Sequence, residues 1–199
     1  MDGGRGRLVN IILGIILVVS LGLLFLENAT AITGHASEGY TTSNVTISKY
    51  LSIDFSTGLQ EGIYFGVVDV LPSTDINATH NYDGASNETT YFINVSTDSN
   101  TAVDFCILAN SGMTNGAAGV IGLDNETYHA SNETSNWTNP DVNSQVSITT
   151  SFVKAVNYTV PGQVSNWRFW LDIPVAQETG NYNNTISFRG VGTGLVCGS

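Results

Sequence analysis

Positive charge is what this chain has least of. Of 199 residues only 6 are Lys or Arg, against 17 Asp plus Glu, and charged residues of both signs make up 12%. Arg5 and Arg7 precede a long apolar run, which leaves the body of the chain with Lys49, Lys154, Arg168 and Arg189. Nucleic acid is held by a basic footprint that neutralises phosphates, and an anionic membrane surface asks for the same. Both are excluded as partners. Cysteine is nearly absent, with Cys106 and Cys197 alone and no Cys-x-x-Cys, so zinc-ribbon and redox motifs are missing.

The three histidines, His35, His80 and His129, share no metal-binding spacing, and no His-Glu-x-x-His occurs. No phosphate-cradling glycine loop is present. Gly34-His35-Ala36-Ser37-Glu38-Gly39 has the wrong spacing for a nucleophile elbow and no strand before it. Asp54, Asp69, Asp104 and Asp172 are the carboxylates that a fold would have to bring together for glycosidase chemistry; as outward strand positions they read as solvated. Asp75, Asp83, Asp98, Asp124 and Glu126 sit in Asn/Gly turns of the kind hard cations favour, but without a calcium-loop spacing. The expectation is a protein that is not an enzyme, with no cofactor or metal, calcium being the one cation its turns invite.

What is present begins with an export pattern. Met1–Arg7 is short and basic, residues 8–26 are apolar, and Ala29-Thr30-Ala31 closes the segment with small residues. That order is a secretory signal with cleavage after Ala31, the alternative being an uncleaved anchor long enough to span a bilayer. A type IV pilin-like cut at Gly6-Arg7 would keep the apolar helix for packing, but the usual acidic residue near the mature start is missing. Each of these readings places the rest of the chain outside the cell.

Asn-x-Ser/Thr acceptors follow at Asn44, Asn77, Asn87, Asn94, Asn125, Asn132, Asn136, Asn157 and Asn183. Chance would supply roughly four, so an exported chain with this excess is expected to carry N-linked glycans at several of them. The glycans would also compensate for low surface charge. An even cysteine count outside the cell predicts a disulfide, Cys106–Cys197, closing a loop of about ninety residues and contributing about 3–5 kcal/mol. The alternative is a buried thiol at 106 and an unpaired one at 197.

Period-two alternation predicts an all-β chain of about eight strands, a single Ig-like or jelly-roll sandwich over residues 45–199 after a flexible lead at 32–44. The first strand is long, with Val45, Ile47, Leu51, Ile53 and Phe55 on its apolar side. Ile63–Val70 is a second, and Tyr91–Val95 a third that turns at Asp98 into a hairpin with Val103–Ile107. A short strand falls near Val120–Leu123, another carries Val146, Ile148, Thr150 and Phe152, and Pro161-Gly162 supplies a turn. Trp167–Ile173 and a last strand with Tyr182, Ile186 and Phe188 complete the set. Trp167 and Trp170 have opposite parity, so one of them is expected to face outward or cover a partner. With Trp137 and the tyrosines they are candidates for a sugar-binding platform.

The closing stretch RFWLDIPVAQETGNYNNTISFRGV, residues 168–191, resembles the final hairpin of secreted prokaryotic β-sandwich proteins. It is most similar to small archaeal surface proteins, over about 25 residues. Some of that group build extracellular threads or pili by lending a strand to a neighbour. The resemblance implies a self-assembling fold and no catalytic residues. The expected function is therefore a structural subunit of an N-glycosylated extracellular filament. Residues 32–55 would be the donor region, with Val45, Ile47, Leu51, Ile53 and Phe55 filling the neighbour's groove. The alternatives are a monomeric or anchored surface adhesin that binds glycans, a pilin-like subunit, or a glycoprotein coat component.

Overall fold

The computed structural model describes residues 10–20 and 41–198. The chain divides into two units, Met1–Thr46 and Ile47–Ser199. In the first, residues 10–20 are helical with exposed side chains and residues 41–46 carry no regular structure. Among the described residues no helix is long and apolar enough to cross a membrane. The Gly6-Arg7 junction, the cleavage position at Ala31, most of the 32–44 lead and His35 lie outside the described residues.

The second unit is an all-β sandwich. Its strands are β1 (Ile53–Phe55), β2 (Ser73–Asn77), β3 (Phe92–Val95), β4 (Val103–Ala109), β5 (Met113–Thr114), β6 (Val120–Ile121), β7 (Glu126–Ser131), β8 (Val146–Ser147), β9 (Val153–Thr159), β10 (Val164–Ile173) and β11 (Ile186–Gly192). One antiparallel sheet runs β1-β3-β10-β7-β8, with β2 also on β10; a second runs β11-β4-β9; β5 and β6 form a small ribbon. Trp167 and Phe169 from the first sheet meet Phe188 from the second. The Trp167–Phe188 pair is edge-to-face with centroids 5.1 Å apart, a favoured aromatic geometry. Phe105 and Ile107 complete the fully buried centre.

Strand β10 organises the first sheet, and its sequence explains why. β7 pairs with it from Asn166↔Ser131 to Leu171↔Glu126. On the other side β3 takes residues 164–166 and β2 takes 170–173. The peptide groups between those two partners are buried and need others. Residues 78–91 supply them. Trp167 N donates to Tyr91 O (2.9 Å) and Ala78 N to Phe169 O (3.1 Å). The Asn81 carboxamide acts as a surrogate peptide, accepting from Phe169 N at 3.0 Å and donating to Phe169 O at 2.7 Å. Thr89 Oγ1 donates to Trp167 O.

Several expectations give way here. The long strand from Val45 shrinks to Ile53–Phe55, paired Ile53↔Val95. Ahead of it the backbone of Ser48 and Tyr50 is satisfied by the Asn100 loop rather than by a ladder: Tyr50 N donates to Asn100 Oδ1 (2.7 Å) and Asn100 Nδ2 to Ser48 O (2.9 Å). Ile63–Val70 is not a strand. Gly66 has φ +74°, a left-handed conformation that interrupts extended pairing. The Val146 strand stops at Ser147, and Thr149 Oγ1 closes on Ser151 O instead. β9, absent from the sequence reading, follows it.

Neither expected hairpin forms, because β3 and β4 lie in different sheets, as do β10 and β11. Tyr182 falls outside β11. Trp167 and Trp170 are both buried, at 0% and 1% exposure, so the parity argument fails. The outward face of β10 is roofed by irregular chain.

The disulfide joins Cys106 in the middle strand of the second sheet to Cys197, with Cα atoms 5.9 Å apart. Arg189 Nη1 donates to Cys197 O (2.8 Å), holding the tail beside it. A bulge in β9 opposite Phe105 is filled by Asp104. Its carboxylate accepts from Tyr158 N (2.9 Å), Gly194 N (3.0 Å) and Lys154 Nζ (2.7 Å).

Candidate functional site

Where β7 stops beside β10 at Leu171 and only β2 continues along the strand, a groove opens. Met113, Ile121 and Leu171 form its buried apolar floor, with Phe65, Ile76, Ile173 and Tyr182 packed against them. Its walls are residues 63–68 with Leu71 on one side and 177–183 on the other, enclosing about 620 Å³. The apolar wall is bare at Val67, which is 89% exposed, and at Leu71, which is 40% exposed. The wall at 177–183 is polar and fixed by Tyr182 Oη, which donates to Glu178 O and accepts from Gln177 Nε2 (2.8 Å). Exposed apolar surface of this kind marks an interaction site more often than a solvated face.

The five expected donor residues separate into two groups. Leu51 and Ile53 pack against the main core, and Phe55 lies edge-to-face on Phe188 at 5.5 Å. Val45 and Ile47 are 83% and 78% exposed, on chain without regular structure.

The nine acceptor asparagines are all at the surface. Asn44, Asn77, Asn87, Asn132, Asn136, Asn157 and Asn183 are exposed, and Asn94 and Asn125 half-buried. A glycan is attached at Nδ2, so that atom's engagement matters. In Asn125 it donates to Asp124 Oδ1 (3.1 Å), and in Asn132 to Asn157 O (3.0 Å). In Asn136 the Thr138 amide and hydroxyl occupy Oδ1 at 2.9 and 3.0 Å, and among the described residues Nδ2 donates to no protein group.

Titratable groups are spread rather than convergent. Asp104 is used by Lys154 and the β9 bulge, Asp172 accepts from Asp75 N (2.7 Å), and Asp54 and Asp69 are exposed on separate elements. Of the turn carboxylates, Asp75 accepts from Gln145 Nε2 (2.7 Å), Asp98 and Asp124 are exposed, and Glu126 is buried against Asn184 Nδ2. Among the described residues no three His, Cys, Asp or Glu come together as a metal site.

The densest ionisable group is one the sequence did not indicate. His80 Nδ1 meets Asp83 Oδ2 at 2.5 Å, and its Nε2 meets Glu61 Oε2 at 3.2 Å. Glu61 ends the short helix Thr57–Glu61, which Ser56 caps by accepting from Leu59 N. The Asp83 hydrogen bond, outweighing burial, raises the His80 pKa above its ordinary value. Burial would raise Asp83 in turn, but the His80 and Thr90 hydrogen bonds hold it low. His129 behaves oppositely. Burial lowers it, and its Nδ1 accepts from Asp141 N at 2.8 Å, which fixes the neutral form.

Arg168 was read only as a residual basic side chain. It is 0% exposed and holds the loop layer over the sheet. Nε donates to Asn81 O (2.8 Å), Nη1 to the carbonyls of Trp137 and Pro140, and Nη2 to Asn87 O (2.8 Å) and Asn136 O (2.6 Å). Above it lies the Tyr82 ring, 4.0 Å from guanidinium carbon to centroid, and Tyr82 leans on Trp137. The only hint in the sequence was a cation within the apolar run Trp167-Arg168-Phe169-Trp170. Comparison with protein-family models, curated proteins and solved structures found no match to the chain.

Proposed function

We propose that the chain is a structural, non-catalytic subunit of an extracellular, N-glycosylated filament, in the manner of the archaeal-type surface proteins it resembles. The observation that carries this reading is a pair of unsatisfied apolar features on one chain. One is the exposed Val45 and Ile47; the other is the bare groove floored by Met113, Ile121 and Leu171. In the filament, residues 41–47 of one subunit occupy the groove of the next, since Ser48 and Tyr50 stay bonded to the Asn100 loop of their own chain. Backbone hydrogen bonds give affinity and alternate side chains give register. The donor region is shorter than residues 32–55, since Leu51, Ile53 and Phe55 stay with their own sandwich. The exposed acceptor asparagines support export and a glycan coat that keeps a weakly charged filament dispersed.

The test is an unheated denaturing gel of native secreted protein beside a boiled sample. The wild type is expected to give a high-mass ladder that collapses on boiling. Val45→Asp with Ile47→Asp is expected to give monomer in both lanes with unchanged thermal stability. A ladder that persists in the double variant removes the donor assignment, and monomer alone from the wild type removes the filament.

A further inference from the structure

Trp137 stands apart from the other two tryptophans. It is 64% exposed, whereas Trp167 and Trp170 are sealed in the sandwich. Its ring lies 5.2 Å from that of Tyr82 at an interplanar angle of 43°, so the two form a shallow V. An exposed Trp on a loose loop would be unremarkable; this one is fixed from below. Arg168 bonds the carbonyls of Trp137 and of its neighbour Asn136, and its guanidinium supports the Tyr82 ring. Thr138 and Asn139 lock the turn further, through Asn136 Oδ1 and Thr134 O. A rigid aromatic pair costs little ordering entropy when something docks on it.

The surroundings indicate what docks. A single Arg168 nitrogen, Nη2, bonds the carbonyls of both Asn87 and Asn136. Two N-glycosylation acceptors separated by 49 positions are thereby brought beside the platform. The flanking side chains of Asn87, Asn136, Thr138 and Asn139 are polar and uncharged, suited to hydroxyl groups. We infer that Tyr82 and Trp137 form a platform that stacks the C–H face of a pyranose ring. The negative faces of the rings attract the polarised C–H bonds. The sugar has two sources. One is a glycan attached to Asn136 or Asn87 of the same chain, which requires the export reading; the other is a saccharide on another molecule. Neither depends on filament assembly.

Two measurements on the full chain test the platform. The first is acrylamide quenching of tryptophan fluorescence before and after enzymatic removal of N-glycans, where Trp137 dominates the accessible signal. The second is saturation-transfer NMR on the glycan-free chain with free glucose, mannose and N-acetylglucosamine. A two-fold or greater rise in quenching on glycan removal identifies the chain's own glycan as occupant. Saturation transfer to ring C–H protons that is lost in Trp137→Ala identifies an external saccharide. Trp137→Ala keeps the backbone carbonyl that Arg168 holds, and an unchanged melting temperature checks that the loop survives. Unchanged quenching together with no transfer, or transfer that persists in Trp137→Ala, overturns the proposal.

Discussion

One strand, β10, passes beneath two surfaces that solve the same problem in opposite ways. Around Arg168 the outer face of the sheet is roofed by residues 78–91 and 132–140, irregular chain whose carbonyls converge on one buried guanidinium. Past Leu171 and Ile173 the strand ends in a groove on whose wall Val67 stands in water. The first surface is complete within the chain because polar groups specify their own partners: five N–H donors in a planar fork select carbonyls at fixed positions. The second has only non-directional apolar attraction, which any suitable surface satisfies. A polar roof closes on itself, whereas the apolar groove is left open.

The contrast breaks most easily at the roof. Arg168→Met removes the donors and leaves five buried or half-buried carbonyls to be rehydrated, an expected loss of about 3–5 kcal/mol. Urea unfolding measures it, and hydrogen exchange is expected to rise first in residues 78–91 and 132–140. A loss below about 1 kcal/mol would mean the roof is held by packing instead.

The pH dependence sharpens the polar side further. Against the burial that would raise them, hydrogen bonds hold Asp83 and Asp104 below their ordinary 3.8. Their contribution is present above that value and is lost as pH falls through the lowered folded-state values. His80 is raised above 6.5, chiefly by Asp83, so its contribution is complete below 6.5 and is lost as pH rises through the raised value. Glu126 is raised above 4.5 by burial, so ionising it opposes folding as pH climbs past that point. Stability is expected to fall as pH drops below 3.8, through Asp83 and Asp104, and as pH rises past 6.5, through His80. Between these limits Glu126 removes stability above 4.5, while His129, lowered by burial, restores it as pH approaches 6.5. Melting temperatures across the pH range check it, and His80→Gln should flatten the alkaline side.

The smallest effect belongs to the groove. Val67, at 89% exposure, stabilises nothing in its own chain, so Val67→Ser is expected to shift stability by no more than about 0.5 kcal/mol. Thermal melting of monomer checks this. A larger loss would mean the rim belongs to the monomer's own fold rather than to an assembly.

What the residues announced were the features that are local or additive. Period-two alternation marked β3, β4, β10 and β11, since side chains on a pleated strand face alternate sides wherever the strand lies. Alternating runs with turn signals between them pointed to an all-β body, and an even cysteine count in a chain read as exported pointed to the bond at Cys106–Cys197. Alternation says nothing about which sheet a strand joins, so both expected hairpins failed. Nor does it reveal what covers a face, so Trp170 was misjudged. It also overran at Val45, where the Asn100 loop satisfies the backbone that a strand partner would otherwise have taken.

Arg168 gathering carbonyls from residues 81 to 140, His80 between Glu61 and Asp83, and the groove assembled from residues 63–71, 113–121 and 171–183 were decided only by tertiary structure. The sequence by itself determined strands β3, β4, β10 and β11 and the crosslink, because those depend on neighbouring residues or on counting. Contacts between residues far apart in the chain exist only after the sheets have paired: the roof is made of directional hydrogen bonds, the groove of apolar contacts and the Tyr82–Trp137 platform of a ring contact held from below by Arg168.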